Sequence, residues 1–129
     1  MAAPTPKTYT RQVSGYGIAI WNAVWTDTNN LTDSVVVDLS AQVDGRTNAL
    51  IIDQIRYRCT AGIEFTLEFD ATSDEFLYTS VLGDTSWVDI KFDPPLVKTA
   101  AGATGDLVLT STSAADTDEV SLIVNYRAN

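Results

Sequence analysis

Short runs in which apolar and polar residues alternate are the feature of this sequence that most constrains its fold. The segment Ile63–Phe69 has an apolar residue at every second position, with glutamate or threonine between them. Because successive side chains of a β-strand point to opposite faces, this spacing predicts a strand with one buried face and one solvated face. Similar runs recur about every ten residues, separated by polar segments rich in turn-forming residues. No segment has a convincing helical period.

About eight or nine such strands, joined by polar turns, predict an all-β fold. The expected architecture is an antiparallel β-sandwich, either jelly-roll-like or immunoglobulin-like. A chain of 129 residues is long enough for one such domain with a core of its own. We assign residues 14–129 to that domain. Residues 1–13, which include Pro4 and Pro6, are expected to form an extended N-terminal arm, because a segment of this composition cannot bury itself.

Three local patterns give more detailed expectations. Alternation places Ile51 on the same face of its strand as Cys59, which is expected to be a small buried hydrophobic residue. The sequence Asp93-Pro94-Pro95 is expected to end the preceding strand, because proline cannot donate a backbone hydrogen bond. Gly15–Gly17 is expected to be a turn, and Pro94–Asp106, rich in small residues, a mobile loop.

The composition limits the chemistry that this chain can perform. The chain has no histidine, which removes the commonest general base and the commonest metal ligand. Its single cysteine rules out an internal disulfide and fits synthesis in a reducing compartment. No nucleophile motif is present, so we expect neither an enzyme nor a cofactor site.

The charge of the chain limits its partners. Its net charge is −9, from 17 acids and 8 bases. Nucleic acid and anionic membranes are therefore unlikely partners, because phosphate groups would be repelled by most of the surface. No apolar run has the length of a signal peptide core or of a membrane span.

The acidic residues are candidate ligands or catalysts, but solvated turns and strand faces explain them better. Glu64 and Glu68 lie four positions apart on one strand, which separates them by roughly 13 Å, too far for a glycosidase pair. Asp70–Glu75 and Asp116–Glu119 are oxygen-rich segments of the kind that binds calcium. Neither has the spacing of an EF-hand loop, so solvated turns are the favoured interpretation.

The tryptophans are the best candidates for a binding surface. Trp21 and Trp25 share a parity on a strand whose other parity is also apolar, so a second sheet or another subunit is expected to cover each face. They are either core residues, anchors of a subunit interface or a platform for sugars. Trp87 has the parity opposite to the apolar face of its strand, which indicates an interaction surface.

Several phrases of the sequence together resemble a known class of protein. These are the Pro/Thr-rich start "APTPKTYTRQ", then "SVVVDLSAQVDG" and "IRYRCTAGIEFTLEFDAT", and the end "LVLTSTSAADTDEVSLIVNYR". In an acidic β-rich chain without histidine or disulfides, they resemble the decoration or cement proteins encoded beside the major capsid protein of tailed phages. The resemblance covers most of the chain and rests on overall pattern, with no diagnostic motif.

The resemblance implies a β-sandwich that binds the outside of a phage head and clamps neighbouring major capsid subunits. It also implies a homo-oligomer, with a trimer favoured, made in the host cytoplasm and carried on the virion. The arm Ala2–Val13 would then reach to a neighbour. The expected interface residues are Lys7, Tyr9, Arg11, Trp21, Trp25 and Trp87. A carbohydrate-binding module and another virion component, such as a tail or head–tail connector protein, remain the alternatives.

Overall fold

The computed structural model describes residues 6–13, 16–38, 50–70, 75–80, 85–97 and 106–128. Within these ranges every regular element is a β-strand, as the alternating pattern predicts. The nine strands are β1 (Lys7–Val13), β2 (Tyr16–Val24), β3 (Ser34–Val37), β4 (Leu50–Cys59), β5 (Glu64–Phe69), β6 (Glu75–Thr79), β7 (Val88–Val97), β8 (Leu107–Thr112) and β9 (Glu119–Ala128).

The strands form two sheets in which all pairs are antiparallel. The five-stranded sheet has the order β1-β2-β9-β4-β7, and the four-stranded sheet has the order β3-β8-β5-β6. Neighbours in space are mostly distant in sequence, because most consecutive strands belong to different sheets. The predicted antiparallel β-sandwich is therefore confirmed.

One continuous core lies between the two sheets, and it contains the residues that alternation places inside. The alternate residues Phe65, Leu67 and Phe69 of β5 are buried, as are those of β9. Tyr57 of β4 packs edge-on against Phe65, with ring centroids 5.0 Å apart. The Tyr57 hydroxyl also lies 2.7 Å from the Tyr78 hydroxyl, so a hydrogen bond joins the two sheets. Cys59 is buried, as expected.

The prediction for Ile51 is wrong because β4 contains an irregularity. The register of β4 against both of its neighbours shifts between Ile52 and Gln54, which places Asp53 at a bulge. An extra residue in a strand reverses the parity of the residues before it. Ile52 is consequently the buried residue, together with Ile55, and Ile51 is half-buried on the opposite face.

The prediction that Asp93-Pro94-Pro95 ends its strand is also wrong. The strand β7 continues through the prolines to Val97. It is an edge strand of the five-stranded sheet. Its pairs with β4 jump from Lys91 to Leu96, so the prolines fall between paired positions, where a missing backbone donor is tolerated. Of the predicted loop at 94–106, residues 98–105 lie outside the described residues.

The N-terminal boundary needs a correction as well. Residues 7–13 do not form an arm outside the domain, because they are β1 and pair with β2 along their whole length. Charged residues are typical of an edge strand, where they discourage further pairing, so the polar composition of this segment is compatible with a strand. Residues 1–5 lie outside the described residues.

Gly17 belongs to β2 and not to a turn. It pairs with Tyr126 of β9, and the Tyr126 ring occupies the space where a side chain would stand. A Cβ atom built on Gly17 would overlap the Tyr126 ring. The glycine is therefore required by the close approach of a buried aromatic ring.

Candidate functional site

Where the structure describes the acidic segments, it shows no arrangement that suggests catalysis. Glu64 and Glu68 are half-buried on the outward face of the four-stranded sheet, on the side of β5 opposite its buried residues. Among the residues that the structure describes, no three acidic or cysteine side chains lie close enough together to hold a metal ion. Residues 71–74 of the first oxygen-rich segment, Asp70–Glu75, lie outside them.

In the second acidic segment, the buried carboxylate of Asp118 is used to hold a turn. Its Oδ2 accepts a hydrogen bond of 2.8 Å from the Ala115 backbone, and its Oδ1 accepts one of 2.8 Å from the Thr60 hydroxyl. The Asp118 carbonyl accepts a further bond from the Trp25 backbone. These contacts assign Asp118 a structural role.

The three tryptophans have two different environments. Trp21 and Trp25 are fully buried between the sheets, and the Trp25 indole donates to the Asn29 carbonyl at 2.9 Å. The expectation that they belong to an interface or a sugar platform is wrong, because a buried ring cannot contact another molecule. Trp87, in contrast, is 54 % exposed.

Trp87 lies on the outward face of the five-stranded sheet, which we call the basic face. The strand register aligns its side chains in rows across the sheet. The central row is Tyr9, Ile20, Ile123, Arg56 and Asp89, and the next is Arg11, Ile18, Asn125, Gln54 and Lys91. The predicted interface residues Lys7, Tyr9, Arg11 and Trp87 therefore share one surface, without Trp21 and Trp25.

The basic face collects positive charge on an acidic protein. All basic residues in the described part of the chain lie on it: Lys7, Arg11, Arg56, Arg58, Lys91 and Arg127. Four acids share the face, namely Asp53, Asp89, Asp93 and Glu119. Six bases and four acids leave it with a net charge of +2, whereas the whole chain has −9. The remaining bases, Arg46 and Lys98, lie outside the described residues.

The same face also exposes apolar side chains. Of the nine large apolar residues that are exposed in the described chain, seven lie on it: Tyr9, Tyr16, Ile18, Ile20, Val24, Trp87 and Val97. Scattered exposed apolar residues are ordinary, but a contiguous group on one flat sheet is typical of an interaction surface.

Hydrogen bonds join several polar side chains on the basic face, but within the described ranges Arg56 Nε has no hydrogen-bond partner. Gln54 donates to Asp89 Oδ1 at 2.6 Å, and Asn125 donates to Gln54 at 3.4 Å. Asp53 forms a two-bond ion pair with Arg127, which raises the pKa of that guanidinium. Asp89, opposite Arg56 in the register, is thus bonded to Gln54.

Two pockets open on the basic face. One, of about 270 Å³, is lined by Arg56, Trp87, Val88, Asp89 and Ile123. The other, of about 370 Å³, lies near the opposite end of the strands and includes Arg11, Tyr16 and Asn125 among its lining residues. Both combine apolar walls with an arginine, a composition suited to a side chain that has an apolar stem and an acidic end.

The sequence indicated the outward position of some residues of the basic face, but it did not show that they share one surface. The alternation places Arg56 and Arg58 opposite the buried face of β4, and Lys7 and Arg11 share a parity. Only the sheet order brings β1 and β4 into one surface, with β2 and β9 between them. Ile18 and Ile20 were expected to be covered, and the structure leaves both partly exposed.

No helix in the described ranges has the length and apolar character needed to cross a membrane.

Comparison with known proteins leaves the family open. No protein family model matches the chain, and no curated protein matches it. Among solved structures, it is similar to Drosophila melanogaster CENP-C bound to CAL1, with 15 % identity over 92 % of this chain and 80 % of that one. The TM-score is 0.34. The Drosophila melanogaster CENP-C cupin domain gives 13 % identity over 92 % and 75 % of the two chains, with a TM-score of 0.32. Similarity this low carries no argument about function.

Proposed function

We propose that this protein is a non-enzymatic structural component of a phage virion, which binds the outside of the head and holds neighbouring major capsid subunits together. The observation that carries the proposal is the basic face, where all described bases and most exposed apolar side chains meet. Such a surface fits a protein partner whose own surface is acidic and partly apolar. The sequence resemblance to decoration proteins of tailed phages suggests that this partner is the phage head.

The size of the basic face supports this proposal. Five strands about 4.8 Å apart and about seven residues long cover about 550 Å². Counting both partners, the buried area would be about 1,100 Å², just above the ~1,000 Å² expected of a specific interface. One copy would bind modestly, but many copies on a symmetric shell would together stabilise it.

The alternatives fit less well. A carbohydrate-binding module would need aromatic platforms, and two of the three tryptophans are in the core. The predicted homotrimer stays a prediction, and its contact would not pair two basic faces, since like charges would oppose each other. A tail or connector protein remains the second candidate among virion components.

Binding to heads assembled without this protein tests the proposal. We expect the purified protein to sediment with such heads and to raise the temperature at which they release their DNA. Absence of co-sedimentation at low and moderate salt would contradict the proposal. Binding should weaken with added salt, because exposed charges are screened.

A further inference from the structure

We infer that the pocket between Arg56 and Trp87 binds a carboxylate side chain, glutamate or aspartate, presented by the protein partner of the basic face. This inference rests on the proposed function and names the anchor point within the face. The pocket has about 270 Å³ of space and is lined by both residues, with Ile123 and Asp89 beside them.

The first support is the state of the Arg56 guanidinium. Its Nε is buried and has no hydrogen-bond partner in the described part of the chain. An unpaired buried donor is unfavourable, and more so when the group is charged. A carboxylate bound in the pocket would compensate the charge of the Arg56 guanidinium, which lines that pocket.

The second support is that the acidic residue opposite Arg56 already accepts a hydrogen bond from another side chain. Asp89 lies opposite Arg56 in the register of β4 and β7. Its Oδ1 accepts a short hydrogen bond of 2.6 Å from Gln54, and no ion pair links it to Arg56 within the described residues. Arg127, by contrast, is matched by Asp53. Arg56 is therefore a base of this face with a pocket beside it and no carboxylate partner within the described residues.

The third support is the apolar wall. Trp87 is 54 % exposed beside the guanidinium, and Ile123 is half-buried on the neighbouring strand. The methylene groups of a glutamate would contact these side chains while its carboxylate reaches Arg56. A phosphate group has no such stem, and the negative charge of Asp89 in the lining repels a dianion more strongly than a single carboxylate.

NMR spectroscopy of the whole protein tests this site without any phage head. The Arg56 Nε–H and Trp87 indole N–H signals should shift saturably on addition of a capped oligoglutamate peptide. An oligoglutamine peptide of the same length should leave them unchanged. The buried indoles of Trp21 and Trp25 and the Nε–H of the exposed Arg58 serve as internal controls.

Arg56→Gln should abolish the Trp87 response, whereas Arg58→Gln should preserve it. If Arg56→Gln fails to fold, Arg56→Lys replaces it and should weaken the response at least several-fold, because lysine lacks the planar fork. No saturable shift, an equal shift at Arg58, or an equal response to oligoglutamine or inorganic phosphate would overturn the inference. None of these outcomes depends on head binding, so this test and that of the proposed function can fail separately.

Discussion

The hydroxyl groups of Tyr57 and Tyr78 lie 2.7 Å apart and connect the two sheets of the sandwich. Tyr57 belongs to β4 of the five-stranded sheet, and Tyr78 belongs to β6 at the edge of the other sheet. Tyr78 also packs edge-on against Phe92 of β7, with ring centroids 6.4 Å apart. Through these two contacts, Tyr78 holds the edge strand β6 against β4 and β7 of the five-stranded sheet.

Tyr78→Phe should lower the free energy of unfolding by about 1 kcal/mol, because the part-buried hydrogen bond between Tyr57 and Tyr78 is lost. Urea unfolding followed by circular dichroism measures the change. Tyr9→Phe is the control, since Tyr9 is exposed on the basic face and its hydroxyl should contribute little. An equal effect of the two substitutions would contradict the structural role of the Tyr57–Tyr78 bond.

The same pair predicts a loss of stability at alkaline pH. Burial, and then the hydrogen bond with Tyr57, raise the pKa of Tyr78 above the ordinary tyrosine value. The unfolded chain then releases the Tyr78 hydroxyl proton at a lower pH than the folded protein does. The stabilisation that the protonated hydroxyl provides is therefore complete below about pH 10 and falls as pH rises further. Urea unfolding at pH 8 and pH 11 should show a smaller decline for Tyr78→Phe than for the wild type.

Gly17→Ala should destabilise the protein by about 1–3 kcal/mol, the usual cost of overpacking a core. The new methyl group would overlap the Tyr126 ring, so either the ring or β2 must move. In a Tyr126→Leu background the same substitution should cost less, because the ring is gone. Equal costs in both backgrounds, measured by urea unfolding, would show that the contact does not explain the glycine.

Gly62→Ala provides a comparison of a different kind. Gly62 has a φ of 94°, and an added Cβ there would meet no atom within 4 Å. Its cost should come from the backbone alone, about 1 kcal/mol, and should not depend on Tyr126.

Acrylamide quenching should separate the tryptophans. Trp87 is accessible and the other two are buried, so only part of the fluorescence should be quenched readily. Trp87→Phe should remove that part and leave emission typical of buried indoles. If ready quenching persisted in this variant, Trp21 or Trp25 would have to be accessible, which would contradict the assigned core.

Asp118→Ala should lower the free energy of unfolding by about 1–3 kcal/mol, because the Ala115 N–H and the Thr60 hydroxyl lose a buried acceptor. Asp116→Ala is the matched control, since Asp116 is exposed in the same turn. Thermal unfolding compares the two variants. A larger effect at Asp116 would indicate that the segment has a role other than the turn described above.

Much of the fold follows from local patterns in the sequence. The burial of alternate residues in β5 and β9 is predicted from period-two alternation alone, and so is the solvated side of Glu64 and Glu68. The errors at Ile51 and at Pro94-Pro95 have one cause. Both lie at the irregularity between β4 and β7, where extra residues change the parity, and residue type alone does not reveal such a shift.

The candidate site was less predictable because it depends on sheet order. Lys7 and Arg56 are 49 positions apart in the sequence yet belong to one surface, since β9 pairs with both β2 and β4. Long-range antiparallel pairing of this kind leaves no local signal. The sequence also allowed Trp21 to be an interface residue, because both faces of β2 carry apolar residues. Only the position of the second sheet shows which face of β2 is buried.

Charge reversal on the basic face tests the central claim most directly. We would measure co-sedimentation with heads that lack the protein for a Lys7→Glu/Arg11→Glu variant and for a Glu64→Lys/Glu68→Lys variant on the outward face of the other sheet. Matched unfolding curves would establish that both variants are folded. The account predicts at least a tenfold loss of binding for the first variant and wild-type or tighter binding for the second. Unchanged binding of the first variant, or loss of binding only in the second, would contradict it.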